Sequence, residues 1–279
     1  MAVHVTLEIF SGRPNPSWVL SDSQIKDLTR FRETQPKAFR RAAAPAALGY
    51  RGFTIREIGG DTGKPTIASR GRPLVGGHIA GAEVEEFLLA TAPAQSIEDA
   101  IRKHVRSQFV NWTKLIDLSK ILKPLACPIC KAADAPVYNP AFWNAPGIQP
   151  HNNCYNYANN QATNTFAQPG RAHGITLTSL QCGPVSTAAQ ADGLQPVPNF
   201  SATRTPGQGW YVALVIWPNT DYHWYRQDKV GCWSHKPGQT AARNTDNSGH
   251  TIQDPQTCDR GPYTQFCGYM ATGSWVRIQ

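Results

Sequence analysis

The sequence predicts an α+β protein of two domains. Apolar segments that alternate like strands are mixed with capped, helix-like segments across the first 120 residues. The charge content then changes: residues 1–120 hold 17 Lys/Arg and 12 Asp/Glu, against 10 and 7 in residues 121–279, and six of the eight tryptophans lie beyond position 140. We therefore expect a smaller α+β accessory domain over 1–120, a proline-rich linker over 121–150 and a second domain over 151–279.

The N-terminal part begins with a strand, because residues Val3–Phe10 alternate between apolar and polar side chains. After the turn-forming residues 11–17, Ser21 is placed to cap a helix over Asp22–Thr34. No catalytic pattern occurs in this part, which indicates a supporting or recognition role. Further strands are expected over Arg51–Ile58 and Pro65–Ser69, and further helices over Ala82–Ala90 and Ile97–Phe109, the last capped by Ser96.

The C-terminal part predicts a helix followed by a group of strands. The helix covers about residues 154–166 and ends before the turn-forming residues 168–170. Residues Trp210–Trp217 form a continuous apolar run, which is typical of a central strand. A hairpin is expected from Tyr222–Gln227 and Gly231–Lys236, and a closing strand from Trp275–Ile278.

Composition excludes several classes of protein. Hydrophobic residues make up 41% and charged residues 16% of the 279 residues, which is not the balance of a disordered chain. No apolar run approaches the roughly 20 residues of a membrane-spanning helix, and no secretory signal is visible in the first residues. The net charge of +8 is scattered over short clusters, so specific nucleic-acid binding is not expected. The oligomeric state is left open.

Seven cysteines leave one unpaired if the other six form disulfides. Two or three disulfides would indicate an oxidising compartment, so an extracellular or cell-envelope location is favoured. The segment from Cys127 to Cys130 also allows a redox pair or half of a zinc site, although Cys258 and Cys267 lack the spacing of a second half. The sequence leaves the connectivity open.

Cys154 has the setting of a reactive thiol. Asn153, just before it, is a favoured N-cap residue, so Cys154 is expected in the first turn of a helix. The unpaired N–H groups of that turn carry partial positive charge, which favours the thiolate, the nucleophilic form of cysteine. The polar loop 150–153 indicates an open cleft at this point. The alternative is a small apolar cysteine packed in a core.

Two histidines follow in the predicted hairpin. If a three-residue loop over 228–230 closes it, His223 lies directly across from His235 on the same face, with Cβ atoms about 5 Å apart. A four-residue loop would place the two rings on opposite faces. In the first arrangement one imidazole can serve as a base toward the Cys154 thiol while the other orients it. Taken singly, each histidine could equally be a surface or packing residue.

A cysteine at a helix start followed by a histidine on a strand and a polar residue on the next strand resembles the papain-like superfamily. The Cys–His–His version resembles its NlpC/P60 branch of cell-wall endopeptidases and amidases, over roughly residues 145–240. The resemblance implies an antiparallel sheet packed on the nucleophile helix. It also implies a thiol hydrolase that needs no cofactor or metal and acts on a peptide or a peptidoglycan-like polymer. The implied roles are Cys154 as nucleophile, His223 as general base, His235 as orienting residue, and Asn152, Asn153 or Tyr155 beside the oxyanion.

Aromatic residues crowd the expected cleft. Strand alternation places Tyr225 on the face of His223, where it could line a substrate groove. Ordinary core packing is the alternative for each of these rings, which are Tyr155, Tyr157, Tyr222, Trp224, Tyr225 and Trp233.

Two other functions fit the same residues. One is a transglutaminase-like acyltransferase, in which Asp246 or Asp254 would orient His223. The other is a secreted or matrix-binding protein without catalysis, whose cysteines are structural and whose Trp/Tyr-rich face binds glycan or protein.

Overall fold

A computed structural model describes residues 2–34, 47–58, 74–75, 82–109 and 126–279. The described chain forms two compact units, each with its own sheet. Unit 1 contains residues 2–9, 15–34, 50–58, 74–75 and 82–109, and unit 2 contains residues 10–14, 47–49 and 126–279. Both mix helices with antiparallel strands, so the predicted α+β class is confirmed.

Unit 1 is built on a four-stranded antiparallel sheet in the order β2-β1-β3-β4. Strand β1 forms because Val3, Val5 and Leu7 alternate with polar residues and turn to the buried face. The strands are β1 (Ala2–Leu7), β2 (Ser17–Val19), β3 (Phe53–Ile58) and β4 (Leu74–Val75), and the helices are α1 (Asp22–Thr34), α2 (Ala82–Thr91) and α3 (Asp99–Gln108).

Local signals account for most of unit 1. The predicted helix Asp22–Thr34 is confirmed at both ends, and the Ser21 hydroxyl accepts the Gln24 N–H at 3.3 Å. The predicted cap at Ser96 is wrong, because its hydroxyl donates to the Pro93 carbonyl and the helix begins at Asp99, two residues later than predicted. The strand predicted over Pro65–Ser69 lies outside the described residues.

Unit 2 is built on a five-stranded antiparallel sheet in the order β5-β9-β6-β7-β8. The continuous apolar strand Trp210–Trp217 is confirmed residue for residue as β6, and it is central because both of its faces are covered. The other strands are β5 (Gln195–Val197), β7 (Asp221–Gln227), β8 (Trp233–His235) and β9 (Gln265–Thr272), and the helices are α4 (Pro140–Trp143), α5 (Cys154–Ala158) and α6 (Cys182–Ala191).

Two predicted elements of unit 2 are wrong. The helix expected over 154–166 ends at Ala158, because Asn160 adopts a left-handed conformation with φ of 52° that asparagine tolerates. The closing strand is not residues 275–278 but β9, which pairs with β6 across a register shift between Leu214 and Val215. That shift, together with Gly268 in β9, interrupts the alternation that would have marked the strand.

Two disulfides cross-link unit 2 and confirm the expectation of disulfides. They join Cys127 to Cys232 and Cys182 to Cys267. The first excludes a zinc site that uses both Cys127 and Cys130. Within the described residues, no cluster of His, Cys, Asp or Glu could hold a metal ion, and no helix combines the length and hydropathy needed to cross a membrane. The free cysteines are Cys130, Cys154 and Cys258.

Candidate functional site

Cys154 lies in the first turn of α5, as predicted. Asn153 is the N-cap: its side chain accepts the N–H groups of Tyr155 and Asn156, and Asn156 closes a capping box on the Asn153 N–H. The helix has only five residues, so its dipole is short, and Cys154 itself is fully buried. The expected open cleft is therefore absent around the sulfur.

Burial decides the ionisation of Cys154. Loss of solvation raises the pKa of its thiol far above the ordinary value, and the nearby Asp221 carboxylate raises it further. The backbone N–H of Trp224, the residue after His223, opposes this shift only in part. Cys154 is therefore a neutral thiol at physiological pH. This matches the alternative interpretation, in which the cysteine packs in a core, and does not match an activated nucleophile.

His223 and His235 do meet, although by a different register from the expected one. The cross-strand partner of His235 is Tyr225, and the rings of His223 and His235 meet diagonally, with Nε2 of His223 2.8 Å from Nδ1 of His235. The hairpin closes one residue later than expected, with the Asp228 N–H donating to the Cys232 carbonyl. The register therefore moves by two positions, and the two histidines keep a common face.

Gly231 fixes this turn. Its φ of 94° lies in the left-handed region, and a Cβ atom there would stand 1.5 Å from the Pro128 carbonyl oxygen. The neighbouring Cys232 forms the disulfide with Cys127, so the turn is fixed both by this cross-link and by the close packing of Gly231 on Pro128.

Arg243 sets the proton positions in the histidine pair. Its Nε–H donates to Nε2 of His235 at 2.9 Å, and arginine is never an acceptor. With Nε2 of His235 accepting, the proton of that ring is on Nδ1 and is donated to Nε2 of His223. The Thr245 carbonyl oxygen lies 3.1 Å from the same Nε2. It can accept a hydrogen bond only from the other tautomer of His235, in which the proton is on Nε2 and the bond from Arg243 is lost. In the arginine-bonded state Nε2 of His223 accepts the hydrogen bond from Nδ1 of His235, which occupies the lone pair of that nitrogen.

The residues expected beside an oxyanion are used by the fold. Asn152, Asn153 and Tyr155 are all fully buried. The Asn152 amide pairs with Asn164, the Asn153 amide donates to the Gly12 and Ala167 carbonyls, and the Tyr155 hydroxyl donates to Asp192. Because all three side chains are fully buried, they do not line the solvent-reachable crevice that the sequence predicts.

Tyr225 is also fully buried, and its ring stacks on His235 with centroids 4.9 Å apart. It therefore fills the core and does not line a groove. The other five aromatic residues of the expected cleft are equally buried. These Trp and Tyr side chains therefore belong to the core and do not form the exposed binding face expected of a matrix-binding protein.

Three buried charged groups that sequence reasoning missed complete this region. The Lys236 ammonium donates to the carbonyls of Gln149, Asn152 and Gly238, and so ties down the loop before α5. Its place at the end of the predicted strand Gly231–Lys236 gave no sign in the sequence that it would be buried.

Asp221 holds a distant loop. Its carboxylate accepts the backbone N–H groups of Ser11, Gly12 and Arg13 and the Tyr263 hydroxyl at 2.6 Å. Gly12 is required there, because a Cβ atom would come within 2.4 Å of the Tyr222 ring. The turn-forming residues 11–17 were visible in the sequence, but their partner was not.

Arg226 forms the third buried charge. It makes a salt bridge with Asp228 at 2.8 Å, its guanidinium lies 4.1 Å from the centroid of the Tyr157 ring, and both charged side chains are almost completely buried. Asp246 and Asp254, proposed as orienting carboxylates, instead bind local partners, among them the N–H of Ser248 and the hydroxyl of Tyr269.

Comparison with known proteins gives one informative relative. No protein-family model matches the chain, and no solved structure matches it. The insoluble matrix shell protein 1 of Ruditapes philippinarum is 50% identical to it over 143 residues, which cover 50% of this chain and 93% of the relative. That relative is named as a matrix protein, so the prediction of a cysteine peptidase or amidase is wrong, and the acyltransferase alternative is set aside with it.

Proposed function

This chain belongs to the protein family of insoluble matrix shell protein 1, and from that premise we propose that it is a secreted, non-enzymatic component of an extracellular matrix. The observation that carries the proposal is 50% identity over 93% of a relative named for an insoluble matrix. Among the functions compatible with the sequence, the matrix-binding alternative is the one that this relationship supports.

The chemistry of unit 2 supports a structural role. Two disulfides suit an oxidising, extracellular compartment. Cys154 is a buried neutral thiol, and the polar groups around it bind one another within the protein. Such a network specifies and rigidifies a fold and leaves no group poised for reaction.

The partner of such a protein is a matrix polymer. The net charge of +8 provides a long-range attraction to anionic components of a matrix, which salt weakens. Charge alone gives little specificity, so a defined contact surface is also required.

Co-sedimentation tests the proposal. The purified, disulfide-bonded protein is mixed at physiological salt with the insoluble residue of a decalcified Ruditapes philippinarum shell. Most of the protein should sediment with the residue, and Cys154→Ala should sediment equally. Wild-type protein that stays in the supernatant would contradict matrix binding, and amide hydrolysis by the wild type that Cys154→Ala abolishes would contradict a non-enzymatic role.

We also propose that unit 2 keeps a papain-like architecture without its chemistry. The support is that the cysteine-bearing helix α5 packs against β7 and β8, the two strands that carry His223 and His235. An experimental structure superposed on papain-like peptidases tests this, and a different strand order around the helix would reject it.

A further inference from the structure

We propose that unit 2 carries a binding cleft for a neutral pyranose unit of a matrix polysaccharide, with Trp275 as its platform. The inference rests on the proposed matrix function and names the chemical class of the polymer. The cleft is a shallow depression of about 500 Å³ that opens widely to solvent. It lies apart from the buried histidine network and is lined by Gln195, Thr203, Arg204, Gly207, Gln208 and Trp275.

Trp275 differs from the tryptophans of the core. Its side chain is 37% exposed, whereas Trp224 and Trp233 are fully buried. Its indole N–H donates to the Gly193 carbonyl at 3.0 Å, which fixes the orientation of the ring. An exposed aromatic ring held in one orientation loses little conformational entropy when a ligand packs on it.

Three glycines pack closely against this indole ring. A Cβ atom at Gly273 would lie 2.2 Å from the indole, one at Gly209 would lie 2.7 Å from it, and one at Gly193 would lie 3.3 Å from it. Gly209 and Gly193 also have positive φ angles of 73° and 106°, so backbone conformation and space both favour glycine. The backbone at these glycines therefore packs closely against the indole, while 37% of Trp275 remains exposed.

The rest of the lining suits sugar hydroxyl groups. Gln195 carries an amide that donates and accepts, and Thr203 adds a hydroxyl that does both. The Gln208 amide offers its NH2 group, because its oxygen accepts the Thr205 N–H at 2.8 Å. The Arg204 guanidinium is fixed by its bonds to the Gln208 carbonyl, and adds further N–H groups. This pattern matches a pyranose ring, which has C–H groups to pack on an aromatic face and hydroxyls at its edge.

The charge of the cleft favours a neutral sugar over an acidic one. Arg204 is the single charged residue of the lining. The Asp134 carboxylate accepts the N–H groups of Gly207 and Gly209, in the same turn, and offsets that positive charge. An anionic ligand would gain little from such a balanced pair.

Titration calorimetry with defined probes tests the inference. The probes are hexa-N-acetylchitohexaose and cellohexaose, both neutral, and an acidic hyaluronan hexasaccharide. At least one neutral hexamer should bind more tightly than the acidic one. Trp275→Ala should weaken that binding at least tenfold, and Gln195→Ala, which leaves the platform in place, should weaken it about threefold. Phe142→Ala is the matched control, because Phe142 is 46% exposed and lies outside the lining, and its affinity should equal that of the wild type.

Several results would overturn the inference. These are no binding of either neutral hexamer, tighter binding of the acidic one, or unchanged affinity in a folded Trp275→Ala. If Trp275→Ala fails to fold by circular dichroism, Gln195→Ala decides. Protein that sediments with shell matrix but binds no neutral hexamer would reject this inference alone, whereas failure to sediment would reject the proposed function itself.

Discussion

Nε2 of His223 lies 2.8 Å from Nδ1 of His235, inside the core of unit 2 and with Arg243 bonded to the second ring. This chain of hydrogen bonds links β7, β8 and the segment after β8. Because the groups are buried, losing one partner leaves another unsatisfied, which costs more than the bond itself contributes.

His235→Ala should therefore lower the free energy of unfolding of unit 2 by about 3 kcal/mol, since it removes two hydrogen bonds and the stack on Tyr225. Urea unfolding followed by tryptophan fluorescence measures this. His250→Ala is the control, because its side chain is 40% exposed and 3.8 Å from its nearest carboxylate, and it should change stability by less than about 0.5 kcal/mol. Equal stabilities of the two variants would show that the histidine pair does not support the fold.

Asp221→Asn should reveal how the Asp221 carboxyl contributes to the free energy of unfolding as pH changes. Burial raises the pKa of the Asp221 carboxyl, although three hydrogen-bond donors (the Ser11 and Gly12 N–H groups and the Tyr263 hydroxyl) and the positive charge of Arg13 oppose this in part. The folded protein then holds that proton more tightly than the unfolded chain. The resulting stability is fully present below the unfolded pKa of about 3.9 and is lost as pH rises through the higher folded value.

The wild type should therefore be most stable relative to Asp221→Asn near pH 4, and the difference should shrink as pH rises toward 7. Unfolding in urea at a series of pH values tests this, because other titrating groups cancel in the comparison. A difference that grows with rising pH would mean that the hydrogen bonds to the carboxylate outweigh its burial.

Arg226→Met should destabilise unit 2 by about 3–5 kcal/mol, because it leaves the Asp228 carboxylate buried without its partner. Arg106→Ala is the matched control: Arg106 also forms a 2.7 Å ion pair, with Glu86, but both side chains are about half exposed. Solvent screens that pair, so its loss should cost less than about 1 kcal/mol. Denaturant titrations of both variants measure the loss in free energy of unfolding. Similar losses in Arg226→Met and Arg106→Ala would contradict this prediction.

Removing the disulfide between Cys182 and Cys267 should lower the stability of unit 2 by about 3–5 kcal/mol, because it closes 85 residues of chain. The double variant Cys182→Ala/Cys267→Ala isolates this effect in thermal unfolding. Cys130→Ala, which removes a free thiol, is the control and should cost less than about 1 kcal/mol. A double variant as stable as the control would show that this cross-link does not constrain the unfolded chain.

Local signals made part of this structure predictable. The bounds of α1 and β6 follow from a capping serine and from an uninterrupted apolar run. The meeting of His223 and His235 also follows from the sequence, because strand side chains repeat every two residues and a two-position register shift preserves the face.

Burial depth was not predictable from the same signals. The polar residues Asn152 and Asn153 indicated an open loop, yet Lys236 and the Gly12 carbonyl, from distant parts of the chain, bind that loop internally. A cysteine after an N-cap has the same sequence pattern whether it faces solvent or a core. Only the packing of α5 on the sheet, which depends on long-range contacts, distinguishes an activated thiol from an inert one.

The reactivity of Cys154 in the native protein distinguishes a buried structural thiol from an activated nucleophile. Iodoacetamide labelling near neutral pH, read by mass spectrometry of individual cysteines, should modify the partly exposed Cys130 first. Cys258 should follow slowly, because burial raises its pKa to about 12. Cys154 should stay unlabelled until urea unfolds unit 2. Rapid labelling of Cys154 in the folded protein, ahead of Cys130, would contradict a buried structural thiol.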